Sequence, residues 1–333
     1  MDAGTFSKQA CLPTPKGVTE YQTYSQTPQD DEIIIQLGGE KLQKGDLPQD
    51  DEIIIQRCCD AQIVITNKVV ITRNILKALP KLRLIQLTAT GMDNVDKQAC
   101  QDLGITLKNV AGYSVNSVPE HTLMMMLAIM RGAKYYHQRA TDGTWQADGR
   151  FCLLNEPLFD LYGQTLGIIG AGNIGRRVGE LAKAFGMHVL YAEHQGKAPR
   201  SSEYTDFETV LNSSNVISLH CPLTDATKHL INTDTLAKMH KKPLIINVAR
   251  GGVVCGADIV DALINDHILG YASDVFESEP FAKNDPLLGI ADHPRVLFTP
   301  HNAWGSLAAQ EKLWEILANQ ITDFINNHST HTP

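Results

Sequence analysis

Leu166-Gly-Ile-Ile-Gly-Ala-Gly-Asn-Ile-Gly-Arg-Arg-Val-Gly-Glu-Leu-Ala-Lys-Ala-Phe-Gly-Met-His-Val-Leu-Tyr-Ala-Glu193 decides the fold. A short apolar run, 166–169, feeds a glycine turn, Gly170-x-Gly172-x-x-Gly175. An amphipathic stretch continues to Phe185, and a second apolar run, His188 to Ala192, ends on Glu193. Strand, tight turn, helix, strand and acid, in that order, make a dinucleotide-binding unit. Gly170 permits the turn, Gly172 lets the backbone approach a pyrophosphate, and Gly175 lets helix and strand pack closely. The helix N-terminus offers N–H groups and a partial positive charge to the phosphates. Glu193 stands about 20 residues past the turn, where an acid bonds the ribose 2′-hydroxyl. Its charge repels a 2′-phosphate and so favours NAD(H) over NADP(H), with His194 beside it able to blunt that preference. A glycine turn alone is weak evidence; its flanking strands, helix and acid make it specific.

Outward from this unit, strands are expected at 165–169, 188–192, 215–220, 243–248, 269–274 and 295–299, with helices between most of them. That alternation predicts an α/β fold with a Rossmann-type, doubly wound parallel sheet. The first half also alternates: Ala61–Thr66 and Leu82–Thr88 read as strands, Arg73–Leu79 and Asp96–Leu103 as helices, so a second, smaller α/β domain is expected. The 333 residues suit two domains. Ser117 and Glu120 read as a capping box. It opens a Met- and Leu-rich helix to Arg131, apolar nearly all round and so expected to be buried between domains or against another subunit. The N-terminus carries an oddity: Pro28-Gln-Asp-Asp-Glu-Ile-Ile-Ile-Gln36 recurs identically as Pro48–Gln56. The second copy leads naturally into the strand at 61–66. The first is surplus, a local duplication with no chemistry in it.

The net charge of −8 and pI near 5.8 argue against a nucleic-acid or acidic-membrane binder. The longest apolar run, Leu123–Met130, is too short to span a bilayer, and no signal peptide is visible. Seven scattered cysteines fit reduced thiols in the cytoplasm. None has zinc-ligand spacing, so no metal is expected.

Ligands of open α/β sheets bind outside the carboxyl ends of the strands, so the residues just past each strand matter most. Those residues are the glycines, Glu193, Cys221-Pro222, Ala249-Arg250-Gly251-Gly252, Asp274 with Glu277, Glu279 and Pro280, and Pro300-His301-Asn302. Taken singly, Arg250 is as readily a surface ion pair, Glu279 a solvated acid, His301 a structural histidine and Asp274 a turn cap. Together, beside a nucleotide site, they fit hydride transfer to a ketone next to a carboxylate. Histidine suits as proton donor because its pKa lies near neutrality. A Glu on its other ring nitrogen fixes the tautomer. Arginine offers a planar fork to a carboxylate and polarises the carbonyl.

Seven stretches resemble the D-2-hydroxyacid dehydrogenase family: Thr90–Asp96, Asn109–Ser114, Ser117–His121, Gly170–Gly175, Asn247–Gly252, Asp274–Pro280 and Thr299–Trp304. Within it, Tyr191-Ala-Glu193 and His301-Asn-Ala-Trp304 are most similar to glycerate dehydrogenases, also called hydroxypyruvate reductases. The resemblance spans about residues 58 to 320. It implies His301 as acid/base, Glu279 as its partner, and Arg250 as the carboxylate and carbonyl clamp. Thr90 and Gly91 would bind substrate through backbone N–H groups. Asn173 and Ile174 would lie under the pyrophosphate, Glu193 at the adenosine ribose, Cys221, Pro222, Val248 and Ala249 along the cofactor, and Asp274 at the nicotinamide carboxamide. It also implies a flavodoxin-like substrate domain from both chain ends (1–115 and 303–333), an NAD-binding domain (116–302) and a homodimer. The expected activity is NADH-dependent reduction of hydroxypyruvate, and of glyoxylate, to the D-hydroxy acid. The alternatives are another small substrate such as D-lactate, or an NADH-sensing corepressor-like binding protein on the same fold. The family begins with a β-strand that residues 1–10 lack, so a rearranged sheet edge is expected there, with Glu32–Gln36 recruited as strand or left as helix.

Overall fold

The computed structural model describes residues 22–23, 32–35 and 50–329. The chain divides into two compact units, Met1–Tyr113 with Leu307–Pro333, and Ser114–Ser306. Among the described residues, five strands lie in the first unit: β1 (Gln22–Thr23), β2 (Glu32–Ile35), β3 (Ile63–Thr66), β4 (Leu84–Leu87) and β5 (Thr106–Lys108). Seven lie in the second: β6 (Thr165–Ile169), β7 (His188–Ala192), β8 (Tyr204–Thr205), β9 (Val216–Leu219), β10 (Leu244–Asn247), β11 (Gly270–Ser273) and β12 (Val296–Phe298).

The second unit's strands form one sheet, ordered β12-β11-β10-β9-β6-β7-β8, and every pairing is parallel. From β6 the chain winds outward through β7 and β8, then returns to lay β9 on the other side of β6. The crevice at that reversal is where such sheets bind ligands. Strands β9, β10 and β11 are buried along their length, as strands covered on both faces must be. Alternate residues feed two cores. Leu244 and Ile246 pack with Val178 and Ala182 of helix Asn173–Ala184 and with Met125, Met126 and Ile129. Ile245 and Ile217 pack with Val210 and Ile259 on the opposite face. Each fully buried side chain of this size contributes about 1.5–3 kcal/mol.

Register matters more for function than length. Ile169 pairs with Leu219, Leu219 with Asn247, Asn247 with Ser273 and Ser273 with Phe298. The next residue of each strand therefore falls in one row along the carboxyl edge: Gly170, His220, Val248, Asp274 and Thr299.

Helix Ser117–Met130 departs from its expected start. Its N-cap is Asn116, with no side-chain cap bond. Ser117 lies inside the helix and its hydroxyl donates to Ala303 O at 2.5 Å, so the capping box is not formed. A distant carbonyl outcompetes the local backbone for that hydroxyl. Much of the helix is covered within its own unit. Met125, Met126, Ile129 and Met130 are buried in the unit's own core, and Met124 is the large side chain left open, at 42%.

In the first unit, β3, β4 and β5 run parallel, whereas β2 lies antiparallel on β3 and β1 antiparallel on β2. The edge is thus rearranged, with Glu32–Ile35 recruited as strand. The expectation about residues 1–10 lies outside the described residues. The duplicated sequence takes two conformations: Glu32–Ile35 is strand, and the second copy opens helix Asp51–Cys58. That helix is capped by the Asp50 side chain, which accepts from Glu52 N at 2.9 Å, and it buries Ile54 and Cys58 one turn apart. Strand β5, three half-buried residues, is too short to show in the pattern. Among the described residues no helix is long and apolar enough to cross a membrane.

Candidate active site

The glycine turn has the geometry a pyrophosphate needs. Gly170 has φ +102°, and a Cβ there would lie 2.5 Å from the Cys221 nitrogen. The turn is therefore pressed against the end of β9 and closed to any other residue. A Cβ on Gly175 would lie 2.2 Å from Gly170 O, while one on Gly172 would meet nothing within 4 Å. The helix starting at Asn173 and Ile174 has no side-chain cap. Its first N–H groups thus have no capping side chain at the positive end of a 12-residue helix. These residues fit a dinucleotide. Cys221 is 8% exposed, and burial pushes its thiol up to about 11, so it lines the crevice as an uncharged surface. Pro222, Val248 and Ala249 come directly after β9 and β10 on the same edge.

At the other end of the row, Glu279 and His301 meet. His301 Nδ1 lies 2.6 Å from Glu279 Oε2, and Glu279 Oε1 accepts from Phe276 N at 2.9 Å. With Nδ1–H donating to the carboxylate, Nε2 is the nitrogen left for exchange, and it has no protein partner among the described residues. Both side chains are about one-third exposed, 31% and 30%, as groups that must meet a small molecule should be. His301 sits at φ +51°, a conformation costing a non-glycine residue on the order of 1 kcal/mol. Asp274 holds it there. Its Oδ1 accepts from Thr299 Oγ1 at 2.5 Å and Asn302 N at 3.0 Å, and its Oδ2 from Ala303 N at 3.0 Å. Asp274 O accepts from His301 N at 2.8 Å.

Arg250 enters from β10. Asn247 organises its turn: Nδ2 donates to Arg250 O at 3.0 Å and Oδ1 accepts from Ala249 N at 3.0 Å. The Arg250 Nη1 donates to Ala249 O at 2.7 Å. Gly251 brings this turn against the Glu279 loop, since a Cβ on Gly251 would sit 1.9 Å from Phe276 C and 2.1 Å from its oxygen. Gly251→Ala is expected to force the 276–279 segment off His301. It would lower the melting temperature and cut kcat at least about tenfold, overpacking here costing about 1–3 kcal/mol or more. Unchanged melting and turnover would show that the two turns are not interlocked.

The second unit therefore gathers Arg250, Glu279, His301, Asp274, the glycines, Glu193, Cys221-Pro222 and Val248-Ala249 on one sheet edge. Thr90 and Gly91 belong to the first unit. There they lie just past β4, with Asn109 Nδ2 donating to Thr90 O at 2.6 Å and Thr90 Oγ1 to Val110 O at 3.2 Å. Glu193 is buried, 3% exposed, and bonded to Arg200 Nε at 2.8 Å and Nη2 at 2.5 Å.

Several residues of the site had no sequence signal of their own. His121 Nε2 lies 3.0 Å from Thr299 Oγ1, extending the Asp274 network. Both stand inside stretches that resemble the family, but nothing in the spacing pairs them. His220 has Nε2 2.8 Å from Ser218 Oγ and a buried Nδ1 with no partner, and burial pushes its pKa down to about 3. Folded His220 stays neutral while the unfolded chain protonates near 6.5. Its stabilisation is therefore complete above pH 6.5 and is lost as pH falls toward 3, by at most about 1.4 kcal/mol per pH unit. The urea midpoint should drop more steeply between pH 7 and 5 in the parent than in His220→Gln; parallel curves would reject the assignment.

The family model described as D-isomer specific 2-hydroxyacid dehydrogenase, NAD binding domain, matches residues 123–303. The chain is 40% identical to a glycerate dehydrogenase of Methylorubrum extorquens over 91% of this chain and 87% of that one. It is 33% identical to a hydroxypyruvate reductase of Blautia hydrogenotrophica over 81% and 84%. Its fold is similar to the crystal structure of D-lactate dehydrogenase from Aquifex aeolicus complexed with NAD and lactic acid. The TM-score is 0.72 and the identity 28%, covering 82% of this chain and 85% of that one.

Proposed function

The chain belongs to the D-isomer-specific 2-hydroxyacid dehydrogenases, NAD-dependent oxidoreductases, and on that premise we propose that it reduces hydroxypyruvate to D-glycerate, and glyoxylate to glycolate. The observation that carries the reading is the 2.6 Å pair of His301 and Glu279 on the sheet edge that also bears the glycine turn and Arg250.

The nicotinamide, when bound, supplies the hydride. The chain's part is charge and protons. Arg250 offers its guanidinium to the substrate carboxylate and to the carbonyl oxygen on which negative charge develops. His301 Nε2 delivers the proton that oxygen takes up. Glu279, on Nδ1, fixes the tautomer that leaves Nε2 outward and stabilises the imidazolium before the transfer. Asp274 keeps His301 in its left-handed backbone and so aims the ring. In the reverse direction the same Nε2 accepts the alcohol proton.

The relatives named glycerate dehydrogenase and hydroxypyruvate reductase favour a three-carbon hydroxylated substrate. A steady-state panel of hydroxypyruvate, glyoxylate and pyruvate with NADH decides it. Hydroxypyruvate should give the highest kcat/KM; pyruvate ahead of it would reassign the enzyme to D-lactate. Slow NADH oxidation with every acid would favour a coenzyme-sensing binding protein. A homodimer is part of the reading, supported by the exposed apolar side chains Phe151 (95%), Leu154 (69%) and Tyr162 (82%). A monomer by light scattering would remove it.

A further inference from the structure

The turn after β7 is built around a carboxylate that is already satisfied. Glu193 accepts from His194 N at 2.8 Å, Arg200 N at 2.9 Å, Arg200 Nε at 2.8 Å and Arg200 Nη2 at 2.5 Å. The His194 ring Nδ1 stands 2.7 Å away. An ionised carboxylate has about four acceptor positions, and four N–H groups fill them. The Arg200 side chain, with the His194 backbone next, holds this carboxyl well below the usual range. It is an anion whose charge its own neighbours neutralise. To bond a ribose an acid needs a free lone pair, and to repel a 2′-phosphate it needs uncompensated charge. Glu193 has neither.

What the turn presents outward is one edge of a guanidinium and an imidazole, with Arg200 Nη2 2.6 Å from His194 Nδ1. The Arg200 side chain is 49% exposed and His194 70%. The guanidinium lies over the Tyr204 ring at 4.4 Å and grips Glu193 by its Nε and Nη2 edge, which leaves Nη1 without a protein partner among the described residues. Lys197 stands in the same turn. The nearby acid, Glu203, is taken by Arg176 Nη2 at 3.3 Å. A planar arginine fixed on one edge and open on the other is suited to phosphate, and an arginine at this point of the fold accommodates a 2′-phosphate.

We propose that this turn binds the 2′-phosphate of NADPH through Arg200 and His194, so that the enzyme uses NADPH as well as NADH, with Glu193 positioning Arg200 rather than holding the ribose. The inference rests on the coenzyme reading of the glycine turn and is independent of which keto acid is reduced.

The test is calorimetric titration of the full chain with adenosine 2′,5′-bisphosphate and with adenosine 5′-monophosphate, which differ by the 2′-phosphate alone. The bisphosphate is expected to bind at least as tightly as the monophosphate. Arg200→Gln is expected to lower the bisphosphate-to-monophosphate affinity ratio about tenfold or more, the loss of a charge-assisted phosphate contact. Because that change strands a buried carboxylate, the double variant E193Q/R200Q, an amide pair in place of the ion pair, carries the same expectation. Glu193→Gln alone should keep the preference for the bisphosphate. In turnover, NADPH should reach at least about one-tenth of the NADH kcat/KM in the parent and fall with Arg200→Gln. Bisphosphate binding about tenfold weaker than monophosphate in the parent, or a ratio unmoved in both arginine variants, would overturn the proposal. Failure of the parent to bind either nucleotide would sink it together with the coenzyme reading, whereas inactivity toward hydroxypyruvate would touch the substrate assignment alone.

Discussion

His301→Ala is expected to lower kcat for hydroxypyruvate about 1,000-fold while NADH affinity is retained. The magnitude is that of a positioned general acid, about 10²–10⁴. The ring stands at the far end of the edge row from the glycine turn, so its removal takes away the proton and leaves the coenzyme contacts in place. Glu279→Gln separates the pair by a subtler route. Loss of the carboxylate 2.6 Å from Nδ1 removes the acceptor that fixes the ring's tautomer and orientation, so kcat should drop by about 10-fold or more while NADH affinity is retained. Stopped-flow reduction with fluorescence titration of NADH checks both. A turnover unaltered in His301→Ala would remove the acid/base assignment, and a parental kcat in Glu279→Gln would remove the partnership.

Arg250→Ala should cost about as much in kcat/KM, about 1,000-fold, equal to about 4 kcal/mol of transition-state stabilisation. The guanidinium is asked for two things, a fork for the carboxylate and positive charge beside the developing alkoxide, and alanine supplies neither. Arg250→Lys keeps the charge but not the fork, so it should recover part of the rate and leave KM raised. The backbone that presents Arg250 is held by Asn247 and by the Gly251 contact on Phe276, none of which uses the guanidinium. Near-parental kcat/KM in Arg250→Ala would reject the clamp.

The fold and the placement of Arg250, Glu279 and His301 on one sheet edge were legible in the chain because their signals are local. A glycine turn between two apolar runs, strands at regular spacing, and an Arg, a Glu and a His just past strand ends need no tertiary information to be noticed. Rules of parallel sheets then place all of them on one edge. Residues that act through another element had no such signal. Nothing near Asp274 in sequence says that its oxygens will take Asn302 and Ala303. Nothing in Ser117-x-x-Glu120 says that the hydroxyl will turn to Ala303 O instead of the helix start. Glu193 stood at the ribose position by its spacing, and its neutralisation by Arg200, seven residues on in an irregular turn, emerges once the side chains are placed.

The duplicated segment marks the boundary between the two kinds of information. Asp-Glu-Ile-Ile-Ile-Gln occurs twice, and its run of three isoleucines suits either a strand or one face of a helix. The second copy runs on into Arg57 and Cys58, which complete a capped helix with one buried face. The first runs into Leu37-Gly38-Gly39, where glycines penalise a helix by about 1 kcal/mol each. Strand β3 offered it an edge, and it took the ladder. Helix and strand differ little in local energy for such a segment. The choice between them, like the choice of partner for Ser117 and Glu193, was made by whichever distant backbone or side chain stood ready to take its hydrogen bonds.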